Sequence, residues 1–481
     1  MINLEVLKRT RCNKIYVALS GGIDSCVLLH SLIQHKQSED ISAEISALNN
    51  IEAIYVNHQL SENAMQWQQF CQKLCEHYQI PCHIKTVNAK PVRQQSPEAA
   101  ARDARYQAFT EIVSSNDALL TAHHQNDQAE TLLLRLCRGS GVKGLSSMAE
   151  LNHYHGITIV RPMLVVSKEQ IINYANKHEL QWVNDESNNQ IHYRRNFIRH
   201  KIVPVLEQVW PTINKTLCRV SEQQREAAQL LTELAKEDIN NCLSDVSFPL
   251  INEPILSVEK LLVLSDGRIK NLIQNWLVNN KFPSLTASLY AQLLIKLRER
   301  QQENICNNSL ELLVWQGPKT KAYENYKFAL YLYRESLFCF VINQSSEFLG
   351  FLNQSYQFDL RKQDSLKVAN GTIQLINFEQ LNKLQVNQNN NFRLSSISQL
   401  DNVIIYYKTK VDKLGLLDKK QKLTLKKYFQ ENAIPVYIRE YLPFVFSDGQ
   451  LIQVGNISLK AVNSHVNMPL NENEKYLFFE Y

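Results

Sequence analysis

The feature that most constrains the fold of this chain is an alternation in its first third. Short apolar runs at 13–19 (Asn-Lys-Ile-Tyr-Val-Ala-Leu), Ile51–Asn57, Cys82–Val87 and Ala118–Ala122 are separated by amphipathic stretches at Ser25–Gln34, Ser61–Tyr78, Pro97–Val113 and Asp127–Arg138. Strands alternating with helices at this spacing imply βαβ units and a parallel sheet. Such sheets bind ligands beyond the carboxyl ends of their strands. The residues that gather there are Ser20 to Ser25, Asn57-His58 and His123-His124.

The remainder of the chain reads differently. Its 481 residues exceed a single core, and 44% apolar residues against 21% charged are enough to bury several. Beyond about residue 210 the pattern becomes helical, at Thr212–Lys236, Val258–Asn279 and Leu285–Arg300, followed by strand-like segments at Tyr326–Leu332 and Leu337–Ile342. The polar run Val386-Asn-Gln-Asn-Asn-Asn391 reads as linker or loop. The expected organisation is α/β: an N-terminal parallel sheet flanked by helices (1–210), a mostly helical domain (211–345), a linker or irregular segment (346–394) and a small mixed α+β domain (395–481).

No apolar run approaches the roughly 18 residues of a spanning helix, so no membrane partner is expected. The first ten residues have an acid within their apolar part and no cleavage site, which predicts a cytoplasmic protein without a signal peptide. The ten cysteines are then thiols, with no Cys-x-x-Cys; Cys71, Cys75 and Cys82 are the nearest cluster and read as buried thiols rather than a metal site. A net charge of +5 permits an acidic partner such as RNA without demanding one.

The turn after the first strand, Leu19-Ser-Gly-Gly-Ile-Asp-Ser25, has the content of a phosphate cradle. Backbone N–H groups and a helix N-terminus attract an anion, glycines allow close approach, and Ser20 and Ser25 add hydroxyls. There is no Gly-Lys-Ser/Thr, so it is not a Walker A loop. Asp24 makes sense where polyphosphate would sit if Mg²⁺ travels with the phosphates, since that ion takes carboxylate and phosphate oxygens together. The plainer alternative is a strand–turn–helix connection in which Asp24 complements the helix dipole.

The loop resembles the pyrophosphate loop of the PP-loop (N-type) ATP pyrophosphatases, which cleave ATP between the α- and β-phosphates and adenylate a substrate. It is followed in order by Val56-Asn-His-Gln-Leu60, Ala101-Arg-Asp-Ala-Arg-Tyr106, Thr121-Ala-His-His-Gln-Asn-Asp-Gln-Ala-Glu-Thr131, Arg138-Gly-Ser-Gly141, Arg161-Pro-Met-Leu164, Asn184-Asp-Glu-Ser-Asn188 and Tyr193-Arg-Arg-Asn-Phe-Ile-Arg-His200. This ordered set, over about residues 14–210, is similar to the tRNA(Ile)-lysidine synthase family. Lys426-Lys-Tyr-Phe-Gln-Glu431, Ile434-Pro435, Arg439, Pro443 and Val445–Gln453 resemble the C-terminal domain of its longer members. One departure is Asn126-Asp127, where most members have Asp-Asp.

The resemblance implies ATP and Mg²⁺ as cofactors, with Asp24 on the metal and Ser20, Gly21, Gly22, Ile23, Asp24 and Ser25 as the nucleotide-binding set. It implies free L-lysine and a tRNA(Ile) with a CAU anticodon as substrates, and it leaves a homodimer open. Asp24, Arg105, His124, Asp127 and Glu130 are the catalytic candidates. Asp127 and Glu130, three apart on one helix face, suit a cationic amine or its proton; a dipole-favoured acid pair is the simpler reading. Arg102 and Arg105 suit charge stabilisation, or ordinary pairing with Asp103, Glu98 and Glu111. Arg194, Arg195, Arg199, His200 and Lys201 suit phosphates of the anticodon stem-loop. The lysines at 408, 410, 413, 419, 420, 422, 426 and 427 suit another part of the tRNA, or solvent alone. Competing readings are a PP-loop sulfurtransferase, which wants a cysteine pair or iron–sulfur site, and a non-catalytic RNA-binding protein with a degenerate loop.

Overall fold

The computed structural model describes the chain except for residues 39–44, 60–62, 89–96, 187–190, 247–250, 252, 304–309, 318–322, 344, 346–349, 351, 369–370, 378–379, 381–401, 418, 432–433, 437, 459–474 and 481. The Val386–Asn391 run lies outside the described residues. Two compact units are present, Met1–Leu230 and Leu231–Tyr481.

The first unit is built on a six-stranded sheet in the order β3-β2-β1-β4-β6-β5. The strands are β1 Ile15–Ala18, β2 Ile51–Asn57, β3 Cys82–Thr86, β4 Ala118–Leu120, β5 Leu151–Tyr154 and β6 Ile157–Val160. All neighbours are parallel except the β5–β6 hairpin. The first four strands lie where the apolar runs predict them. The central strands β1 and β4 read as continuous apolar segments because both faces are covered, whereas the edge strand β3, Cys-His-Ile-Lys-Thr, is only half-buried. On β1, Ile15 and Val17 pack with Val27, Leu28, Leu29 and Leu32, while Tyr16 faces the opposite layer with Ile54, Phe109, Leu119 and Ile159. Each of those fully buried leucines contributes roughly 1.5–3 kcal/mol.

The flanking helices are α1 Glu5–Thr10, α2 Ile23–Lys36, α3 Ala64–His77, α4 Pro97–Thr110, α5 Gln125–Leu136, α6 Val142–Leu145, α7 Lys168–Lys177, α8 Arg194–Phe197 and α9 Val203–Val209. A π-helical turn, Ile198–Ile202, separates α8 from α9. The long helix α10, Ile213–Asn241, begins in this unit. Helix α7 starts from Ser167, whose side chain and Gln170 form a reciprocal cap.

In the second unit, α11 Val258–Leu262, α12 Asp266–Asn279 and α13 Ala287–Glu303 pack on an antiparallel sheet ordered β7-β10-β9-β8. Its strands are β7 Leu256–Ser257, β8 Leu310–Gln316, β9 Tyr326–Tyr333 and β10 Ser336–Asn343. The described residues of the segment 346–394, expected as linker or irregular, hold three strands: β11 Ser355–Asp359, β12 Ser365–Val368 and β13 Gly371–Asn377. They are paired into the C-terminal sheets β11-β14-β15-β16-β17 and β12-β13-β18, and these strands contribute Phe358, Val368 and Ile373 to a folded core. The other strands of those sheets are β14 Asn402–Tyr407, β15 Pro443–Ser447, β16 Gln450–Val454, β17 Ile457–Ser458 and β18 Lys475–Glu480. Helices α14 Lys408–Leu414 and α15 Lys419–Glu431 follow β14. Among the described residues, no helix is long and apolar enough to cross a membrane.

Candidate active site

The loop after β1 turns on Gly21, which has φ +82°. A Cβ there would stand 2.8 Å from Val183 Cγ2 and 3.2 Å from Cys71 Sγ. The Gly21 carbonyl accepts from the Val183 N–H at 2.9 Å and from Cys26 Sγ at 3.3 Å. Gly22 is different. Its φ of −72° is ordinary, and a Cβ would meet only Ser20 Oγ at 3.6 Å. Gly22 therefore leaves space rather than supplying a left-handed bend. Inside the loop, Ser25 Oγ donates to the Gly22 carbonyl at 2.9 Å and lies 3.2 Å from Ser20 Oγ.

Gly22 is the N-cap of α2, and no side chain caps that end. By contrast α5 and α7 are capped by His124 and Ser167. The uncapped first turn of a 14-residue helix, bordered by Ser20 and a residue without Cβ, fits a phosphate group. Asp24, in that turn, lies 2.6 Å from the Lys168 ammonium Nζ and 3.7 Å from His124 Nε2. A positive charge thus already sits on this carboxylate, as a Mg²⁺ ion would. Among the described residues no group of three or more His, Cys, Asp or Glu side chains could hold a metal. Any Mg²⁺ on Asp24 would draw its other ligands from phosphate and water, which is how that ion is ordinarily held.

His124 and Asp127 form a reciprocal cap on α5. The His124 ring Nδ1 accepts from the Asn126 N–H at 3.2 Å, and the His124 N–H donates to Asp127 Oδ2 at 3.0 Å. With Nδ1 accepting, the ring hydrogen lies on Nε2, between Asp24 and Asp127, whose Oδ2 is 3.5 Å away. Burial favours the neutral form of Asp127, but His124, Arg195, His123 and the backbone bond outweigh it and hold the carboxyl well below the usual range. Burial pushes His123 down to about 3, with Arg161, Arg195 and Arg105 adding to the shift against the pull of Asp127. Its Nδ1 is 2.8 Å from Thr121 Oγ1.

Asp127 and Glu130 are brought together with Arg195 and Arg199, an arrangement the sequence reading did not anticipate. Glu130 is 2% exposed and bonds Arg195 Nε at 2.8 Å, Arg199 Nε at 2.6 Å and Arg199 Nη2 at 3.0 Å. Asp127 Oδ1 takes Arg195 Nη2 at 2.8 Å and Arg199 Nη2 at 3.2 Å. The assignment of Arg195 and Arg199 to RNA phosphates is therefore corrected: their shared face is turned inward onto two carboxylates. Burial opposes the charge on Arg199, but Glu130 and Asp127 hold its value above the ordinary one. Arg194, His200 and Lys201 remain exposed and are the outward part of that basic cluster.

Arg105 is half-buried, with its guanidinium 5.9 Å from the Tyr106 ring centre and that of Arg102 at 5.0 Å from the same ring. Burial lowers Arg105 from its ordinary value, with Arg102 and Arg195 adding to the effect. Glu111, a suggested partner, is bonded to Lys85 instead. The buried His58 Nδ1 has no hydrogen-bond partner among the described residues. Lys168 is a site residue that local sequence gave no reason to select. The departure at 126 also gains an explanation: Asn126 Oδ1 accepts from the Lys168 N–H at 3.2 Å, a task that needs an acceptor oxygen but no charge.

Residues 2–206 match a family described as the PP-loop domain, and residues 403–467 match the TilS substrate C-terminal domain. The tRNA(Ile)-lysidine synthase of Haemophilus ducreyi is 39% identical over 280 residues, 58% of this chain and 61% of the relative. That of Edwardsiella ictaluri is 40% identical over 264 residues, 55% of this chain and 57% of the relative. These alignments span about three-fifths of the relatives' length. A tRNA(Ile)-lysidine synthase of Actinobacillus pleuropneumoniae serotype 3 is 32% identical over 449 residues, 91% of this chain and 94% of the relative. At 32% identity over 91% of this chain and 94% of that relative, the chain belongs to the tRNA(Ile)-lysidine synthase family.

Proposed function

We propose that this chain is an AMP-forming carbon–nitrogen ligase. It joins the side-chain amine of free L-lysine to C2 of the wobble cytidine in a CAU-anticodon tRNA(Ile). ATP activates the C2 oxygen as an adenylate with loss of pyrophosphate; the amine then attacks C2, and AMP leaves as lysidine forms. The observation that carries this reading is the continuous chain of contacts from the loop to the acid pair: Asp24 to His124, His124 to Asp127, and Asp127 with Glu130 around the same guanidinium groups. One end of it suits a metal-bound polyphosphate and the other a cationic amine.

The residues take distinct parts. Ser20, Gly21, Gly22, Ile23 and Ser25 shape the end of α2 around the departing pyrophosphate, and Asp24 holds Mg²⁺, which offsets phosphate charge. Asp127 and Glu130 receive the lysine ammonium. Their two negative charges are already balanced by Arg195 and Arg199, so an arriving ammonium takes over bonds from a guanidinium. His124, between Asp24 and Asp127, would meet the developing charge, and Arg105 would add a further positive charge to it. The sulfurtransferase reading is disfavoured by the thiols nearest the loop: burial raises Cys26 to about 12 and drives Cys71 higher still, which keeps both protonated.

The deciding experiment measures AMP release from ATP with Mg²⁺ and CAU tRNA(Ile), with and without lysine. Lysine-dependent AMP with a lysine-sized mass gain on the wobble cytidine is the expected result; lysine-independent AMP or a sulfur-sized gain overturns it. Asp24→Asn is expected to abolish turnover while tRNA binding stays nearly intact, and equal loss of both would contradict the metal role.

A further inference from the structure

Lys168 occupies a place that simple helix energetics disfavour. It is the first residue of α7, immediately after the Ser167 cap, where the helix dipole repels a cation. Yet its position is fixed from three sides. Its N–H is bonded to Asn126 Oδ1 of α5. Ser167 and Gln170 close the cap around it. Ile171 and Ala175, fully buried, seat α7 in the core, and Tyr174 Oη meets His30 Nδ1 of α2 at 2.9 Å. From this anchored backbone the side chain reaches Asp24 Oδ1, 2.6 Å away and 144 residues earlier in the chain.

As a structural tie the pair is weak. Both side chains are about one-third exposed, 36% for Lys168 and 32% for Asp24, and ion pairs of that exposure contribute little. What the pair does accomplish is to hold an ammonium group beside the uncapped N-terminus of α2. A lysine there is a compact charge on a flexible four-carbon stem, able to follow a phosphate oxygen over a short distance while its backbone stays fixed. The loop itself carries no cationic side chain between Leu19 and Ser25.

We propose that Lys168 is the phosphate-binding cation of this site. With no nucleotide it rests on Asp24; when Mg²⁺ takes that carboxylate, the ammonium passes to an oxygen of the β- or γ-phosphate and then neutralises the departing pyrophosphate. This rests on the nucleotide reading of the loop and assigns it a residue outside the motif. Asn126 is the positioning residue that aims it.

The test is calorimetric titration of inorganic pyrophosphate and of ATP onto the full chain, with and without Mg²⁺, in the absence of tRNA and lysine. Lys168→Met is expected to weaken both ligands about 10- to 100-fold, the range for one charge-assisted contact, while adenosine binding is unchanged. Lys168→Arg is expected to recover part of the loss. Asp24→Asn separates the two partners: Mg²⁺-dependent binding falls, while metal-free pyrophosphate binds more tightly than to wild type, because the ammonium no longer has a competing carboxylate. If Lys168→Met folds and binds pyrophosphate as wild type does, Lys168 is no phosphate ligand and the proposal fails, with the loop reading intact. If the wild-type chain binds neither ligand, the nucleotide reading itself fails and takes the proposal with it.

Discussion

Gly21 is required twice over, by its left-handed φ and by the side chains of Val183 and Cys71 against the place of its missing Cβ. Gly21→Ala is expected to cost about 2–4 kcal/mol, combining left-handed strain with overpacking, and to lower the thermal midpoint accordingly. Gly22→Ala, at an ordinary φ with room for a methyl group, is expected to cost less than about 1 kcal/mol while obstructing phosphate. Paired thermal melts and pyrophosphate titrations separate the two glycines, which are indistinguishable as letters. His123 sets a second expectation. Its native value of about 3 lies below the 6.5 of the unfolded chain, so between those values the unfolded state binds the extra proton. The associated stability is complete above pH 6.5 and is lost as the pH falls toward 3; Asp127, also depressed, adds its own loss below its ordinary 3.8. Urea midpoints from pH 7.5 to 4.5 should decline, and His123→Gln should flatten that decline. Asp24, His124, Asp127 and Glu130 could be selected from sequence because they stand at strand ends and helix starts. Lys168 could not: Ser-Lys-Glu-Gln is an unremarked helix start, and its meaning comes from a partner brought in by the fold.

At the scale of elements, the meeting of α5 with α8 and the π-helical turn is where sequence reasoning went astray. The spacing of Arg195 and Arg199 says that they share a face, but not which surface that face meets. Five charge-assisted hydrogen bonds now link them to Glu130 and Asp127, with Glu130 almost wholly buried. Glu130→Ala is expected to destabilise the first unit by about 3 kcal/mol, because it strands charge in a partly buried setting. Removing Arg199 as well should return part of that loss, and a double-mutant cycle read by denaturant unfolding checks the coupling. Elsewhere, β1 and β4 were legible because burial on both faces makes their residues uniformly apolar, and β2 because five of its seven residues are buried. The hairpin β5–β6 was not, since Leu151–Tyr154 is an edge strand of mostly exposed residues. Strands β11 and β12 were hidden for the same reason: Ser-Tyr-Gln-Phe-Asp and Ser-Leu-Lys-Val each bury a single residue.

Over the whole molecule, a net charge of +5 is modest for the proposed RNA substrate, so where the charge lies matters more than its total. In the second unit Lys419, Lys422, Lys426 and Lys427 are exposed along α15, within the region matched to the substrate C-terminal domain. Neutralising Lys426 and Lys427 together is expected to weaken tRNA binding and to reduce the slope of log K against log salt by about 1–2, read from filter binding at several salt concentrations. An unchanged slope removes both from the interface.

The loop that signals nucleotide chemistry is short enough to recognise at a glance, yet it does not stand by itself. Its left-handed residue is bonded to Val183 and pressed against Cys71, and its carboxylate is matched by a lysine on α7. The seven residues Leu19–Ser25 are thus a signature rather than a portable part. Grafted into a foreign strand–helix junction they would carry the letters without the scaffold, and the graft should bind pyrophosphate no better than a scrambled loop.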